Sequence, residues 1–406
     1  MAEIKPFTGI LYNKDKVRAK NVVTPPYDVI SSSMQKEFYR RSPYNVIRLI
    51  LGKKKKSDTR RNNSYTRAKL FLNNWIRGKI LLRDRTPSIY IYRQDYSHTG
   101  RKRTRIGFIA LMKIEKPDKS GILPHEYTLA GPKKDRLMLI KSTKANLSPI
   151  FSLFEDTSDE VNGVLKNFTK SNKPVLSLEE GRVTHTLWRM GHMPSIRKIE
   201  KLMKKKKVFI ADGHHRYEVA LIYRDTVRQR RTSLAKNADY VMMYFSNLSD
   251  EKNLTILATH RVVKCIEGYR GGMLPVEFRN YFEIRKISRM EKCIELLDST
   301  PRARFAFAFY AGEKKLYLLT LKKKYRPERF VDSQKHIFLK KLDVTILHDF
   351  VIRKILCVKN PENNIKYIRN EHDAVSLVDK GDYQAAFFLR PTRVADMKNI
   401  AEQGEM

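Results

Sequence analysis

The sequence predicts an α+β protein, and three observations support this fold class. Short apolar runs rich in β-branched residues, which are typical of buried strands, alternate along the chain with apolar residues spaced three and four apart, which indicate helices. At residues 208–224 a strand-like run passes through a tight turn into a helical stripe. Two pairs of strand-like runs, at residues 88–114 and 305–321, flank glycine-containing turns and predict antiparallel hairpins.

The N-terminal elements follow from the same two patterns. The apolar pair at residues 22–23 and the run at residues 46–51 predict short buried strands. A stripe of apolar residues across 64–76 predicts a helix that ends near Gly78. The polar, proline-containing stretch at residues 123–137 predicts a loop.

The remaining elements are predicted by the same criteria. They are strands at residues 150–154, 183–188, 240–245, 254–263 and 387–388, and helices at residues 161–168, 195–203 and 339–356. The strands at 240–245 and 254–263 are expected to pair with each other. A length of 406 residues allows two domains, and we place the boundary after residue 270.

The chain is strongly basic, with 82 Lys and Arg residues against 43 Asp and Glu residues and a formal charge of +39. Such an excess raises the local concentration of any polyanion, including nucleic acid, a nucleotide or pyrophosphate, without choosing among them. The basic residues occur in short clusters rather than in one terminal block, which indicates solvated faces. We therefore expect non-specific association with nucleic acid at low salt, falling steeply as the salt concentration rises.

Cysteine content and hydropathy narrow the protein class further. Cys265, Cys293 and Cys357 lack paired spacing, which argues against a disulfide framework or a zinc site. The N-terminus has no apolar signal core, and no apolar run approaches the roughly eighteen residues that would span a bilayer. These features predict a cytoplasmic protein without a membrane partner.

The turn between the strand and the helix of residues 208–224 is the strongest candidate site. His214, His215 and Arg216 fall in the predicted first helical turn, where backbone N–H groups lack partners and the helix dipole is positive. Cations here oppose the dipole unless an anion is bound, and Gly213 allows close backbone approach, so the turn predicts phosphate binding. Asp212 is expected to bind Mg²⁺ or to orient a histidine. The alternative is that Asp212 is an N-cap and that the histidines pair with carboxylates of the fold.

These residues also carry a family resemblance. Asp212–Arg216 followed by Ala220 resembles the phosphate-handling motif of the ParB and sulfiredoxin-like superfamily, and Ile210–Glu218 resembles the family catalogued as domain of unknown function 1015. Further phrases similar to that family occur in order along essentially the whole chain: Pro25–Ile30, Ser42–Leu49, Leu123–Glu126, Gly131–Leu137, Asn146–Phe151 and Thr259–Val262.

The resemblance implies a mixed-sheet ParB/sulfiredoxin-like core, assigned to a catalytic region at residues 1–270, and a further C-terminal α/β region at residues 271–406. Similarity to free serine kinases implies transfer of a phosphoryl group to L-serine, giving O-phosphoserine, with Mg²⁺ as cofactor and pyrophosphate, ADP or ATP as donor. Sulfiredoxins carry a cysteine where this chain has His214, so sulfinic-acid repair is not expected. Members of the family that this chain resembles usually continue past the position of Gly404-Glu405-Met406 into a short segment rich in Lys, Ser, Thr and Tyr.

The resemblance assigns roles to individual residues. It implies catalytic roles for Glu126, Asp28, Asp212 and His214, phosphate binding by Gly213, His214, His215, Arg216, Lys133 and Arg136, substrate binding by His125, Thr128, Asn146, Ser148, His260 and Arg261, and metal binding by Asp212. Glu126 or Asp28 would accept the serine hydroxyl proton, while positioning and charge neutralisation would supply most of the acceleration. The sequence has no P-loop of the G-x-x-x-x-G-K-[ST] type, which favours a small donor such as pyrophosphate.

A second reading belongs to a different functional class. The shared motif and the charge of +39 are also compatible with a ParB-like, nucleotide-dependent nucleic-acid-binding protein. Against this alternative, the sequence shows no evident helix-turn-helix module and no terminal basic arm.

Overall fold

The computed structural model divides the chain into two compact units, which we call unit 1 (residues 1–254) and unit 2 (residues 255–405). The structure describes residues 2–98, 101–115, 122–123, 130–230, 235–250, 253–254, 258–269, 272–332, 336–393, 396 and 399. The division lies ahead of residue 270 because the strand His260–Val263 pairs with two strands that are close to the C-terminus of the chain.

Unit 1 is built on a mixed sheet of nine strands, accompanied by a separate two-stranded ribbon of β2 and β3. The strands of the unit are β1 (Ile4–Lys5), β2 (Ile10–Tyr12), β3 (Leu81–Arg83), β4 (Ile89–His98), β5 (Arg101–Lys113), β6 (Ile122–Leu123), β7 (Ile150–Phe154), β8 (Leu176–Glu180), β9 (Val183–Met190), β10 (Val208–Asp212) and β11 (Tyr240–Asn247). The main sheet runs in the order β6-β10-β7-β11-β5-β4-β9-β8, and β1 pairs with β5. The pairs β6–β10 and β7–β11 are parallel, and the other pairs are antiparallel.

The helices of unit 1 pack in two groups, one on the main sheet and one around a smaller core. They are α1 (Ala19–Val22), α2 (Ser32–Arg41), α3 (Ile47–Ile50), α4 (Ser64–Arg77), α5 (Ala130–Thr143), α6 (Glu160–Ser171), α7 (Met193–Met203), α8 (His214–Gln229) and α9 (Ala235–Ala238), with a 3₁₀ turn at Tyr27–Val29. The main core joins alternate strand residues such as Phe108 and Phe245 to apolar residues of α6, α7 and α8. A smaller core around Trp75 joins α3, α4 and β3.

Unit 2 contains a six-stranded antiparallel sheet in the order β13-β15-β14-β17-β12-β16. Its elements are β12 (His260–Val263), α10 (Phe278–Tyr281), β13 (Phe282–Ile287), α11 (Met290–Ser299), β14 (Ala306–Tyr310), β15 (Leu316–Leu321), α12 (Ile337–Lys340), α13 (Asp343–Thr345), α14 (Pro361–Asn364), β16 (Ile365–Ile368), α15 (Glu371–Asp379) and β17 (Ala385–Phe388), with a 3₁₀ turn at Pro327–Phe330 and a π-helix at Ile346–Ile355. The π-helix packs on the sheet face that carries Phe307 and Phe309, whereas α11 and α15 pack on the face that carries Ala308 and Phe388.

The α+β class with a mixed sheet is confirmed, as are both predicted hairpins, which are β4–β5 and β14–β15. The predicted strand and helix of residues 208–224 are also confirmed as β10 and α8. Two predicted N-terminal strands are wrong: Val22 ends α1, and the run at residues 46–51 forms α3. The buried Asn45 side chain accepts a hydrogen bond from Ile47 N–H at 2.9 Å, which fixes a helical turn in a run too short for its pattern to decide. The ParB/sulfiredoxin-like assignment stays a prediction.

Three other predictions differ from the structure. Residues 130–137 begin α5 rather than continuing a loop, because a proline is tolerated in the first turn of a helix. The predicted pair at 240–245 and 254–263 does not form, since β11 and β12 belong to different sheets. The helix predicted at 339–356 is divided among parts of α12, α13 and the π-helix.

Among the described residues, no helix combines the length and the apolar character that crossing a bilayer would require.

Candidate functional site

The turn between β10 and α8 forms a helix N-terminus that has no side-chain cap. In β10, Asp212 is opposite Phe151 of β7, after a break in register that follows Ile210. Gly213 then adopts φ +97°, a left-handed conformation that favours glycine, and serves as the N-cap of α8 without a side chain to cap it. Helix α8 is anchored by Tyr217 and Ala220, which are buried in the main core. The first turn of α8 is therefore held in a fixed position beside the sheet.

Arg216 folds back over this turn. Its guanidinium donates hydrogen bonds to the carbonyl of Pro149 and to the carboxylate of Asp212. A Cβ added to Gly213 would lie 2.8 Å from the guanidinium, so a larger residue would displace the Arg216 side chain, while the φ angle is what requires glycine. Nε of Arg216 is buried and makes no hydrogen bond. The pair is not sealed from solvent, because the Asp212 side chain is 43% exposed.

The two histidines of the turn differ in accessibility. His214 is 4% exposed, whereas His215 is only partly buried. A ligand at the turn can therefore reach the side chain of His215 more directly than that of His214.

Helix α5 brings further charged groups to α8. Lys133 Nζ forms an ion pair with Glu218 Oε2 of α8 at 3.0 Å. Arg136 donates to the adjacent Asp135 carboxylate and, from Nη1, to the carbonyl of Ile50 at 2.9 Å. The predicted phosphate-binding residues of the 131–137 phrase thus lie on a helix that packs against the strand-to-helix motif.

Tyr27, in the 3₁₀ turn that follows Pro25-Pro26, contacts the helix that carries the 131–137 phrase. The guanidinium of Arg136 lies over the Tyr27 ring, 3.9 Å from its centroid. Burial raises the pKa of Tyr27. Among the charged groups, Arg136 and Arg216 lower this pKa, whereas Asp28 raises it. Of these charged groups, Arg136 is the one in direct contact with the phenol ring. Asp28 itself is exposed.

Two residues that contact predicted site residues were not recognised from the sequence, although they lie within the quoted phrases. They are Tyr27 and Glu218. Asp135 pairs with Arg136. Tyr65 completes the group, since its hydroxyl donates to Asp135 Oδ1 at 2.8 Å and burial, aided by this carboxylate, raises the pKa of Tyr65 to about 12. The signal in the sequence was the alternation of acidic and basic residues within the phrases, which indicates mutual pairing as much as ligand binding.

The other predicted site residues of unit 1 belong to two segments, residues 125–128 and the stretch between α5 and β7. His125, Glu126 and Thr128 lie outside the described residues. Asn146 is exposed and Ser148 is partly buried in the segment between α5 and β7. Pro149, in the same segment, accepts a hydrogen bond from Arg216 at its carbonyl.

His260 and Arg261 lie on β12 in unit 2. His260 is 1% exposed, and both ring nitrogens are engaged: Leu389 N–H donates to Nδ1 at 3.3 Å, and Nε2 lies 3.2 Å from the carboxylate of Glu371. Burial lowers the pKa of His260, while the Glu371 carboxylate acts in the opposite direction. Substrate binding by His260 and Arg261 stays a prediction.

Metal binding would rest on Asp212. No cluster of three or more His, Cys, Asp or Glu side chains suited to a metal occurs among the described residues. A single accessible carboxylate is still compatible with Mg²⁺, which proteins commonly hold through one or two carboxylates together with the phosphates of a substrate. The donor set therefore fits a metal brought in with its phosphate ligand rather than one held by the protein alone.

Comparisons with known proteins give one extended match. A family model described as "Protein of unknown function (DUF1015)" matches residues 4–345. No curated protein matches the chain. Among solved structures, a conserved hypothetical protein from Pyrococcus furiosus is 12% identical with a TM-score of 0.32, over 73% of this chain and 86% of that one. A free serine kinase in complex with AMP has the same identity and TM-score, over 73% of this chain and 83% of that one.

Proposed function

The chain belongs to the DUF1015 family, and from this premise we propose that it is a phosphotransferase that transfers a phosphoryl group from a phosphoanhydride donor to L-serine. The observation that carries the proposal is the arrangement at the start of α8. An uncapped helix N-terminus after a left-handed glycine lies beside Arg216, and α5 adds Lys133 and Arg136. This combination of backbone donors and fixed cations suits a phosphate group.

The turn would bind the phosphates of the donor. Backbone N–H groups of the first turn of α8 point out of the helix, and the dipole favours negative charge there. Arg216 supplies the nearest cation, since its guanidinium lies directly over Gly213. Because phosphoryl transfer needs little covalent chemistry from the protein, these groups would act by positioning the donor and by neutralising charge on the transferring group.

The chemical step follows from the substrates. The serine hydroxyl oxygen forms a bond to the terminal phosphorus of the donor as the phosphoanhydride P–O bond breaks, releasing phosphate, AMP or ADP according to the donor. The hydroxyl proton passes to a carboxylate, for which Asp28 and Glu126 are the candidates. Asp212 would hold the Mg²⁺ that accompanies the donor, whose charge the metal partly neutralises.

The test is formation of O-phosphoserine from L-serine and Mg²⁺, with pyrophosphate, ADP and ATP offered separately. We expect product with one donor and a loss of roughly a hundredfold or more in kcat/KM for Arg216→Ala, since a cation that stabilises a transferring phosphoryl group contributes about this much or more. The matched control is Arg228→Ala. Arg228 lies on the same helix, is about half exposed and pairs with Asp239, so this variant should keep wild-type activity.

Absence of product with every donor, from protein that is folded by circular dichroism, would refute the kinase. Retention on DNA at moderate salt would then favour the ParB-like alternative. Equal losses in Arg216→Ala and Arg228→Ala would refute the assignment of the phosphate site to the start of α8.

A further inference from the structure

Arg261 in unit 2 is a buried arginine held without a carboxylate. The residue is 9% exposed. Its Nε donates to His348 Nε2 at 3.1 Å, and Nη1 donates to the carbonyl of Thr259. Within the described part of the chain, no Asp or Glu forms an ion pair with Arg261, and Nη2 donates to no group. The guanidinium is therefore oriented by neutral acceptors, and its charge is not neutralised.

This arrangement differs from the usual treatment of buried charge. Arginines that are fully buried are almost always paired, because removing an ion from water costs several kcal/mol in real proteins. Unit 2 contains such a pair: Arg390, with its side chain 1% exposed, donates from both Nε and Nη2 to Asp343 at 2.8 Å. Burial without a counter-ion lowers the pKa of Arg261 to about 10. The protein thus maintains an energetically unfavourable cation at this position.

Acidic groups on the neighbouring elements are engaged elsewhere. Asp349, which follows His348 on the π-helix, has its carboxylate 3.5 Å from Arg353 Nη1. Glu371 is bonded to His260, whose side chain points to the opposite face of β12. The electrostatic environment of Arg261 is consequently suited to an anion that comes from solution.

Tyr367 is the exposed neighbour of the buried guanidinium. It is the cross-strand partner of Arg261, on β16 at the edge of the sheet, and is 57% exposed. The guanidinium lies 4.9 Å from the centroid of its ring, and the His348 ring is nearly parallel to it at 6.2 Å and 14°. His348 belongs to a π-helix, a rare conformation that occurs frequently at functional sites.

We propose that Arg261, His348 and Tyr367 form an anion-binding site in unit 2 that takes the oxyanion group, phosphate or carboxylate, of a small molecule. The unused edge of the guanidinium supplies the charged donors, because a planar guanidinium matches both kinds of oxyanion. His348 fixes the plane of the guanidinium, and Tyr367 forms the exposed wall. All three residues belong to unit 2, and the binding test below does not depend on the proposed phosphotransferase activity.

A fluorescent reporter at the site tests this proposal on the full chain. Both native tryptophans, Trp75 and Trp188, belong to unit 1, so Tyr367→Trp places a tryptophan of unit 2 in the proposed wall. Titration with inorganic phosphate, and separately with acetate, should give a saturable fluorescence change with at least one of them, and the tighter of the two identifies the oxyanion. Arg261→Gln in this background should weaken binding by about tenfold or more, as expected for loss of charged hydrogen bonds.

Two controls separate this site from other anion sites. Lys366→Ala removes a cation from the opposite face of the same strand, and Arg216→Ala removes the cation of the unit 1 turn, so neither should change the reporter's affinity. Arg261→Lys keeps the positive charge but loses the planar guanidinium with its paired N–H donors, so this variant should also bind the anion more weakly. It gives a second measurement if Arg261→Gln fails to fold. No saturable change in folded Tyr367→Trp protein, or unchanged affinity in a folded Arg261 variant, would overturn the proposal and leave Arg261 as a structural brace.

Discussion

Arg216 of unit 1, in the first turn of α8, and Arg261 of unit 2, on β12, differ in what neutralises their charge. In unit 1, Arg216 donates to the carboxylate of Asp212 across one turn of chain. In unit 2, Arg261 is oriented by a histidine nitrogen and a carbonyl, and no described carboxylate pairs with it. An anion that binds Arg216 must compete with Asp212, whereas an anion that binds Arg261 replaces nothing.

The Arg216 site is therefore expected to exchange its carboxylate partner when an anion binds, whereas the Arg261 site is expected to bind an anion without such an exchange. If a donor phosphate takes the place of Asp212 on Arg216, the carboxylate is released next to the donor, where a metal ion would be needed. Exchange of partners at Arg216 would thus link phosphate binding to metal binding. Arg261 has no such partner to release, so unit 2 is expected to bind its anion without a metal.

The largest expected effect comes from removing the counter-ion of Arg390, so that this arginine, like Arg261, is buried without a carboxylate. Asp343→Asn leaves the guanidinium of Arg390 buried without a counter-ion, and we expect the free energy of unfolding of unit 2 to fall by about 3–5 kcal/mol. Arg261→Gln removes an unpaired charge and leaves no ion behind, so its cost without ligand should be about 1 kcal/mol. Denaturant unfolding followed by far-UV circular dichroism measures both units.

Tryptophan fluorescence provides the internal control for this comparison, since both tryptophans lie in unit 1. The transition seen by fluorescence should not move in either variant. If Arg261→Gln destabilised unit 2 as strongly as Asp343→Asn, the distinction between the paired and the unpaired arginine would fail.

A smaller effect is expected when the unit 1 arginine loses its partner. Asp212→Asn leaves Arg216 in place but removes the competing carboxylate, so inorganic phosphate should bind about tenfold more tightly. The same change removes the proposed metal ligand, and phosphoserine formation should fall by roughly a hundredfold, which corresponds to about 2.7 kcal/mol at the transition state. Calorimetric titration with phosphate and the kinase assay measure the two effects.

The distinguishing result for Asp212→Asn is a rise in phosphate affinity together with a fall in phosphoserine formation. A parallel loss of phosphate affinity and activity would show that Asp212 serves to position Arg216 rather than to compete with the anion. Arg228→Ala, which disrupts an exposed pair on the same helix, should leave both quantities unchanged.

The strand-to-helix motif was predictable from sequence because its signals are local. The apolar run of β10, the glycine that adopts a left-handed conformation and the stripe of α8 each lie within a few residues of one another. The neighbours of Arg216 were not predictable in the same way. The Pro149 carbonyl reaches it only through the folding of the chain, which no spacing in the sequence records.

The α3 segment and the Arg261 site both show what local sequence patterns cannot predict. The 46–51 run is apolar and β-branched, yet a single side-chain acceptor from Asn45 makes it helical. For Arg261, the phrase Thr259–Val262 drew attention to the residue, but its state depends on His348 and Tyr367, which are distant in sequence. Local patterns identify candidate residues, whereas tertiary contacts determine which of them are neutralised.

The smallest expected effect concerns the residue beside Arg261. Burial lowers the pKa of His260, so the unfolded chain binds a proton more readily than the folded one between the folded pKa and the unfolded value of about 6.5. His260 therefore contributes stability that is present above pH about 6.5 and is lost as the pH falls through the folded pKa, with a slope of at most about 1.4 kcal/mol per pH unit. In His260→Gln, unit 2 should lose this part of its pH dependence, measured by denaturant unfolding at a series of pH values.

His185 of unit 1, whose pKa is also lowered by burial, should give the same sign of effect in the tryptophan signal, so His185→Gln is the matched variant. An unchanged slope in His260→Gln would mean that the bond to Glu371 balances the cost of burial, and that His260 and Arg261 differ less in their electrostatic environment than their opposite faces of β12 imply.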